Sequence, residues 1–196
     1  MTGALYTVGH SNHALEAFVG LLRKHGIQVL VDVRSQPASR YLPHFNKNEV
    51  AAGVEAAGVR YLFLGAELGG RPEGRDFYDE AGHVLYDRLA ASPRFQEGIV
   101  RLERGLTRFR VAIMCSEEDP AVCHRYLLIA RVMRESGVPI AHIRGDGSLQ
   151  DDAELQRAEG SDQPLLFADF EEKKWRSLRP ILKVRSEEEE SPEFMD

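Results

Sequence analysis

The residues best suited to chemistry crowd into one stretch, Cys115-Ser116-Glu117-Glu118-Asp119-Pro120-Ala121-Val122-Cys123-His124-Arg125. It holds both cysteines of the chain, beside an imidazole, a guanidinium and three acids. Thiolate is the form of cysteine that attacks and that binds metals, and nearby cations or a helix start favour it. Cys115 is therefore the expected nucleophile, its thiolate favoured by His124 and Arg125. The acids at Glu117, Glu118 and Asp119 work against this, because negative neighbours raise a thiol pKa. The plainer reading of Cys115 is a small apolar residue closing a buried strand. A further reading makes Cys115, Cys123 and His124 ligands of zinc or iron, with His10 as a fourth. Cys-x7-Cys-His is not a usual zinc spacing, and packing at a helix start is the alternative for Cys123. No cofactor is required by the sequence.

Other reactive side chains are scattered. Arg34 and Arg40 flank a proline-containing loop and suit a bidentate clamp on phosphate or carboxylate. The competing reading is a local Asp32–Arg34 ion pair, since an aspartate at a buried strand end needs a partner. His10 and Glu117 are the expected proton carriers, and Glu67 is a third. A satisfied core histidine and solvated loop acids are the alternatives. Gly69-Gly70 suits a backbone cradle for an anion, or a turn.

The elements that must hold these residues follow from periodicity. Near-continuous apolar runs at residues 4–8, 27–33, 60–64, 110–114 and 139–143 read as buried parallel strands. Between them lie helical patterns. The first starts at a Ser11 or Asn12 cap and ends at Lys24. The second starts at Asn46, with Glu49 completing a capping box. Residues 83–91 read as a helix. Ser92-Pro93 opens another, and residues 126–135 make the last. Strands alternating with helices imply an α/β domain with a mostly parallel sheet flanked by helices. Rossmann-like units are expected, with barrel-like closure as the alternative. The polar residues after the strands are then His10, Asp32 with Arg34, Glu67, Cys115 with Glu117, and Arg144 with Asp146. A parallel sheet gathers them on one edge.

The domain is expected over residues 1–147, with a C-terminal extension over 148–196 that is disordered from 186 on. Residues 1–146 carry 18 Lys and Arg against 17 Asp and Glu, whereas residues 147–196 carry 7 against 14. A neutral core with an acidic tail excludes a strong nonspecific nucleic-acid binder. No apolar run approaches the ~18 residues of a membrane span. The N-terminus lacks a signal-peptide pattern, and with two cysteines a cytoplasmic location is the default.

Four motifs occur in order: Thr7-Val8-Gly9-His10-Ser11; Val31-Asp32-Val33-Arg34 with Pro37, Ser39 and Arg40; Leu68-Gly69-Gly70; and Cys115-x-Glu117-x-x-Pro120-x-x-Cys123-His124-Arg125. Together they resemble the domain-of-unknown-function family 488, from about Tyr6 to Ile143. The resemblance implies that these positions form one site and leaves its reaction open. The family often has a histidine shortly after the Asp-Gly that follows the fifth strand. Here Asp146-Gly147 leads to Asp151-Asp152 instead. A weaker analogy links the Asp-x-Arg strand end and the later Cys-loop-Arg to rhodanese-like domains. Gln163-Pro164-Leu165-Leu166-Phe167 looks like the short peptides that dock bacterial sliding clamps.

The leading expectation is an enzyme. Arg34, Arg40 and Arg125, with Asp32, Gly69 and Gly70, would hold an anionic substrate such as a phosphate-bearing nucleotide or a nucleic-acid end. Cys115 would attack, and His10 and Glu117 would move protons. The alternatives are a DNA-associated adaptor docking a sliding clamp through its tail, or sulfur transfer at Cys115.

Overall fold

A computed structural model describes residues 3–161 and 175–182. The clamp-like peptide at 163–167 and the acidic run from 186 lie outside the described residues. Strand β1 (Leu5–Gly9) pairs in parallel with β4 (Val111–Cys115) on one side and β5 (Ile140–Ile143) on the other. Next to β4 lies β2 (Val29–Asp32), and β3 (Arg60–Phe63) pairs with β2, both in parallel. A short β6 (Leu149–Asp151) runs antiparallel to β5. The order is β3-β2-β4-β1-β5-β6. The sheet therefore ends in two edges, and the barrel-like alternative falls.

Central strands β1, β2 and β4 are buried at every position, because both sheet faces are covered. Helices α1 (Leu15–Lys24) and α2 (Lys47–Ala56) cover one face. Their Phe18, Leu22, Val50 and Val54 pack on Val8, Leu30, Ala112 and Met114. After β3 come α3 (Gly65–Leu68), α4 (Tyr86–Ala91) and α5 (Pro93–Leu106). The chain after β4 forms a π-helical segment (Arg125–Ala130) that runs into α6 (Arg131–Glu135). Ile99, Leu102, Leu128 and Ile129 from these elements pack on Leu5, Val31, Val111 and Ile113 of the opposite face.

This arrangement creates a switch point. The connection from β1 leaves towards β2 over the α1 face, whereas the connection from β4 leaves towards β5 over the α6 face. Open α/β sheets bind ligands outside the carboxyl ends of strands at such a point. Here it is the end of β4, flanked by the ends of β1 and β2.

Several local expectations changed under tertiary pairing. Helix α1 starts at Leu15 with Ala14 at its cap, not at Ser11 or Asn12. Ser11 donates its backbone N–H to Ser116 O instead, extending the β1–β4 pairing, and takes a left-handed φ of 45°. Asn46 holds the cap position of α2, but its Oδ1 accepts from Ser39 N at 2.6 Å and so ties down the 35–45 loop. The helix expected from residue 83 begins at Tyr86, because Val84 and Leu85 bridge Tyr78 and Arg176. Ser92 does cap α5, accepting from Phe95 N. Beyond residue 147, β6 and α7 (Asp152–Ser161) continue the domain. Trp175 docks by donating its indole N–H to Leu127 O at 2.6 Å. Among the described residues, no helix is long and apolar enough to cross a membrane.

Candidate functional site

The loop after β4 is laid across the end of β1. Cys115 and Ser116 accept hydrogen bonds from His10 N and Ser11 N through their carbonyls. A Cβ at Gly9 would lie 1.8 Å from Glu117 O, so only glycine admits the loop there. Arg125 fixes the loop from beneath. Its guanidinium is fully buried and donates to the carbonyls of Glu117 and Glu118. Nε of Arg125 has no partner among the described residues. Asp119 caps the short turn at Pro120–Val122 through Ala121 N. That turn returns Cys123 and His124 to the end of β4, and the π-helical segment starts directly behind them. Such segments occur frequently at functional sites.

Cys115, Cys123 and His124 come together here, with their ligand atoms all within 4.8 Å of one another. His124 donates Nε2–H to Val33 O at 3.1 Å. A carbonyl only accepts, so in the neutral ring the bare nitrogen is Nδ1. Nδ1 lies 3.7 Å from Cys115 Sγ and 3.8 Å from Cys123 Sγ. Arg125 N–H points at Cys123 Sγ, 3.5 Å away. The thiols are 4% and 2% exposed. The two protons of the pair come off far apart. The hydrogen bond with Cys123 and burial push the Cys115 thiol up. Burial also opposes the Cys123 thiolate, but Cys115, the His124 ring and Arg125 outweigh it. The two thiols titrate as one pair, in two steps that their mutual contact separates. Glu117 faces both thiols, and although burial opposes its charge they hold its carboxyl down to about 2.

A second network occupies the other face. Asp32, fully buried, accepts from Arg34 N, Nε and Nη2 at 3.0, 2.9 and 2.7 Å, and from the Tyr61 hydroxyl at 2.7 Å. Arg34 Nη1 donates to His10 Nε2 at 3.1 Å, and His10 donates Nδ1–H to Ser11 O at 2.9 Å. The His10 ring stacks on Phe45 at 4.2 Å. Burial first, then the Arg34 charge, brings its pKa down to about 4. His10 is thus neutral with both nitrogens engaged, and it stands apart from the sulfur cluster rather than serving it as a fourth ligand.

The remaining candidates divide by position. Gly70 packs flat on His124, where a Cβ would come within 2.7 Å of the ring. Gly69 abuts Ser35, at an ordinary φ of −67°. Close approach, not a left-handed backbone, is what these glycines supply. Glu67 is ion-paired with Arg101. Arg40 is exposed on the 35–45 loop. A polar cleft of about 620 Å³ lies beside the switch point, lined by Ser11, His13, Glu118, Arg144 and Gln150 among others. Arg144 grips Glu118 across it at 2.8 and 3.1 Å. Sequence reasoning missed Tyr61 and His13. Tyr61 had a signal, a hydroxyl on a strand beside a buried aspartate; His13 had none.

A family model described as domain of unknown function DUF488 matches residues 14–132, more than half of the chain. The chain belongs to this family. No curated protein and no solved structure matches it. The DUF488 segment supplies the Cys–Cys–His cluster with Glu117 and Arg125, and the Tyr61, Asp32 and Arg34 of the second network. His10 and Ser11 precede it.

Proposed function

We propose that this DUF488 protein is an enzyme whose reaction is carried by Cys115, Cys123, His124 and Glu117 at the carboxyl end of β4. One observation carries the reading: Nδ1 of an imidazole tethered through its other nitrogen lies 3.7 and 3.8 Å from two cysteine sulfurs. Groups that attack, bind and carry protons are thereby held together on rigid elements at a switch point. Arg34 and Arg125 are buried and donate to protein partners, Arg34 to Asp32 and His10 and Arg125 to two loop carbonyls, so both shape the site. An anionic substrate, the class expected from the sequence, would meet the exposed Arg40 and Arg71. Glu117 reaches the surface beside the thiols, and substrate would enter from that side.

Thiol reactivity tests this. The full chain is treated with a small alkylating reagent at neutral pH, with and without prior chelator, and each cysteine is followed by mass spectrometry. The expected result is modification of one of the two cysteines at least ~10-fold faster than a free thiol of ordinary pKa, about 8.5, in at least one condition. Slow modification of both thiols in both conditions would reduce them to packing residues and end the enzyme reading.

A further inference from the structure

We infer that Cys115, Cys123 and His124 form a three-ligand site for one zinc-class metal ion. The inference rests on the enzyme reading of the same cluster and names its cofactor.

Geometry comes first. Zinc sits ~2.3 Å from sulfur and ~2.0–2.1 Å from imidazole nitrogen. At tetrahedral angles, a sulfur and a nitrogen bound to one ion are then about 3.5–3.6 Å apart. The two observed separations, 3.7 and 3.8 Å, are nearly equal and close to that value. A hydrogen-bond account fits less well. Nδ1 can make one hydrogen bond, accepting from a thiol or donating to a thiolate, yet two sulfurs stand at nearly the same distance from it. An ion at their common focus uses all three groups at once.

The surroundings of the ligands point the same way. A metal-bound histidine almost always donates its second ring N–H to a carboxylate, carbonyl or water, which fixes tautomer and orientation. Val33 O takes that role for His124. The backbone N–H of Arg125 faces Cys123 Sγ and would stabilise a bound thiolate. Gly70, lacking a side chain, leaves the room that the His124 ring occupies on that side. A set of two thiolates and one imidazole selects zinc and other soft or borderline ions over magnesium and calcium.

Three protein ligands leave a fourth position, which in catalytic zinc sites holds water. Among the described residues the metal-ligating group is these three alone. An ion held by them would lower the pKa of a water in the fourth position, which is how zinc centres generate a nucleophile at neutral pH.

The test uses the full chain, stripped by chelator and refilled with Co²⁺, with Zn²⁺ as competitor. The expected result is one Co²⁺ per chain with a sulfur-to-cobalt charge-transfer band, erased by one equivalent of Zn²⁺. Cys123→Ser and His124→Asn should each weaken binding by more than ~100-fold, beyond the usual effect of an outer partner. Glu117→Gln should keep the band, with affinity within ~10-fold of wild type. Circular dichroism checks that each variant is folded. A band indifferent to both ligand variants would place the ion elsewhere and overturn the inference. Absence of binding in the wild type, with either cysteine alkylated rapidly, would also overturn it while leaving the enzyme reading intact. Absence of binding with inert thiols would end both.

Discussion

Two clusters face each other across the carboxyl ends of β2 and β4, and they are built on opposite rules. In the Tyr61–Asp32–Arg34–His10–Ser11 network the polar groups close on one another, and the buried charges of Asp32 and Arg34 cancel. In the Cys115–Cys123–His124 cluster one ring nitrogen is shared by two sulfurs. In the first, the Asp32 carboxylate, the Tyr61 hydroxyl and both His10 nitrogens are engaged within the network; in the second, three ligand atoms converge on one point. Charged residues at strand ends are therefore not equivalent as site candidates. What separates architecture from chemistry is whether the hydrogen-bonding capacity is already used inside the protein.

The largest effect should come from opening the closed network. Asp32→Ala leaves the Arg34 charge buried without its partner, which typically costs about 3–5 kcal/mol. Urea unfolding measures it, and a loss under ~1 kcal/mol would mean that water reaches Arg34 and that the network is not closed. Next comes acid. The folded pKa of His10, about 4, lies below its ordinary 6.5, so the unfolded chain binds the extra proton between those values. Stability is then complete above pH 6.5 and falls as pH drops towards 4, by about 3 kcal/mol from this group. A His10→Gln variant should lose that part of the slope. The carboxylates held to about 2, Asp152 and Glu117 among them, act in a lower window.

Gly70→Ala sharpens the contrast from the other side. A methyl within 2.7 Å of the His124 ring must push it off line, so Co²⁺ affinity should drop about 10-fold, as when an outer partner is lost. Unaltered affinity would show that the ring position is not critical. The smallest effect belongs to Arg40→Ala. This exposed residue lies outside both clusters, and unfolding should change by less than ~0.5 kcal/mol. A larger loss would reveal a structural contact for the 35–45 loop arginine.

Much of the fold was legible because its signals are local. The apolar runs that became β1, β2 and β4 are buried on both faces, and that is why they lack alternation. Ser92-Pro93 set the start of α5 through a side chain and a ring that act within one turn. Where a local signal met a distant partner, the partner won. Ser11 gave up the helix cap to pair with Ser116, and Asn46 turned from its helix to Ser39.

The candidate site divides in the same way. Sequence alone brought Cys115, Cys123 and His124 into view, since a short turn with proline can only return them to the end of the strand they leave. It also tied Asp32 to Arg34, two residues apart and both near a buried strand end. It did not tell which guanidinium is buried against protein partners or which histidine is neutralised. Those depend on β4 lying between β1 and β2, which sets the His124 ring under Val33 and His10 against Arg34. Strand order is decided by pairing across the whole chain, and a polar group's reactivity by what faces it in space, so both are properties of the tertiary structure.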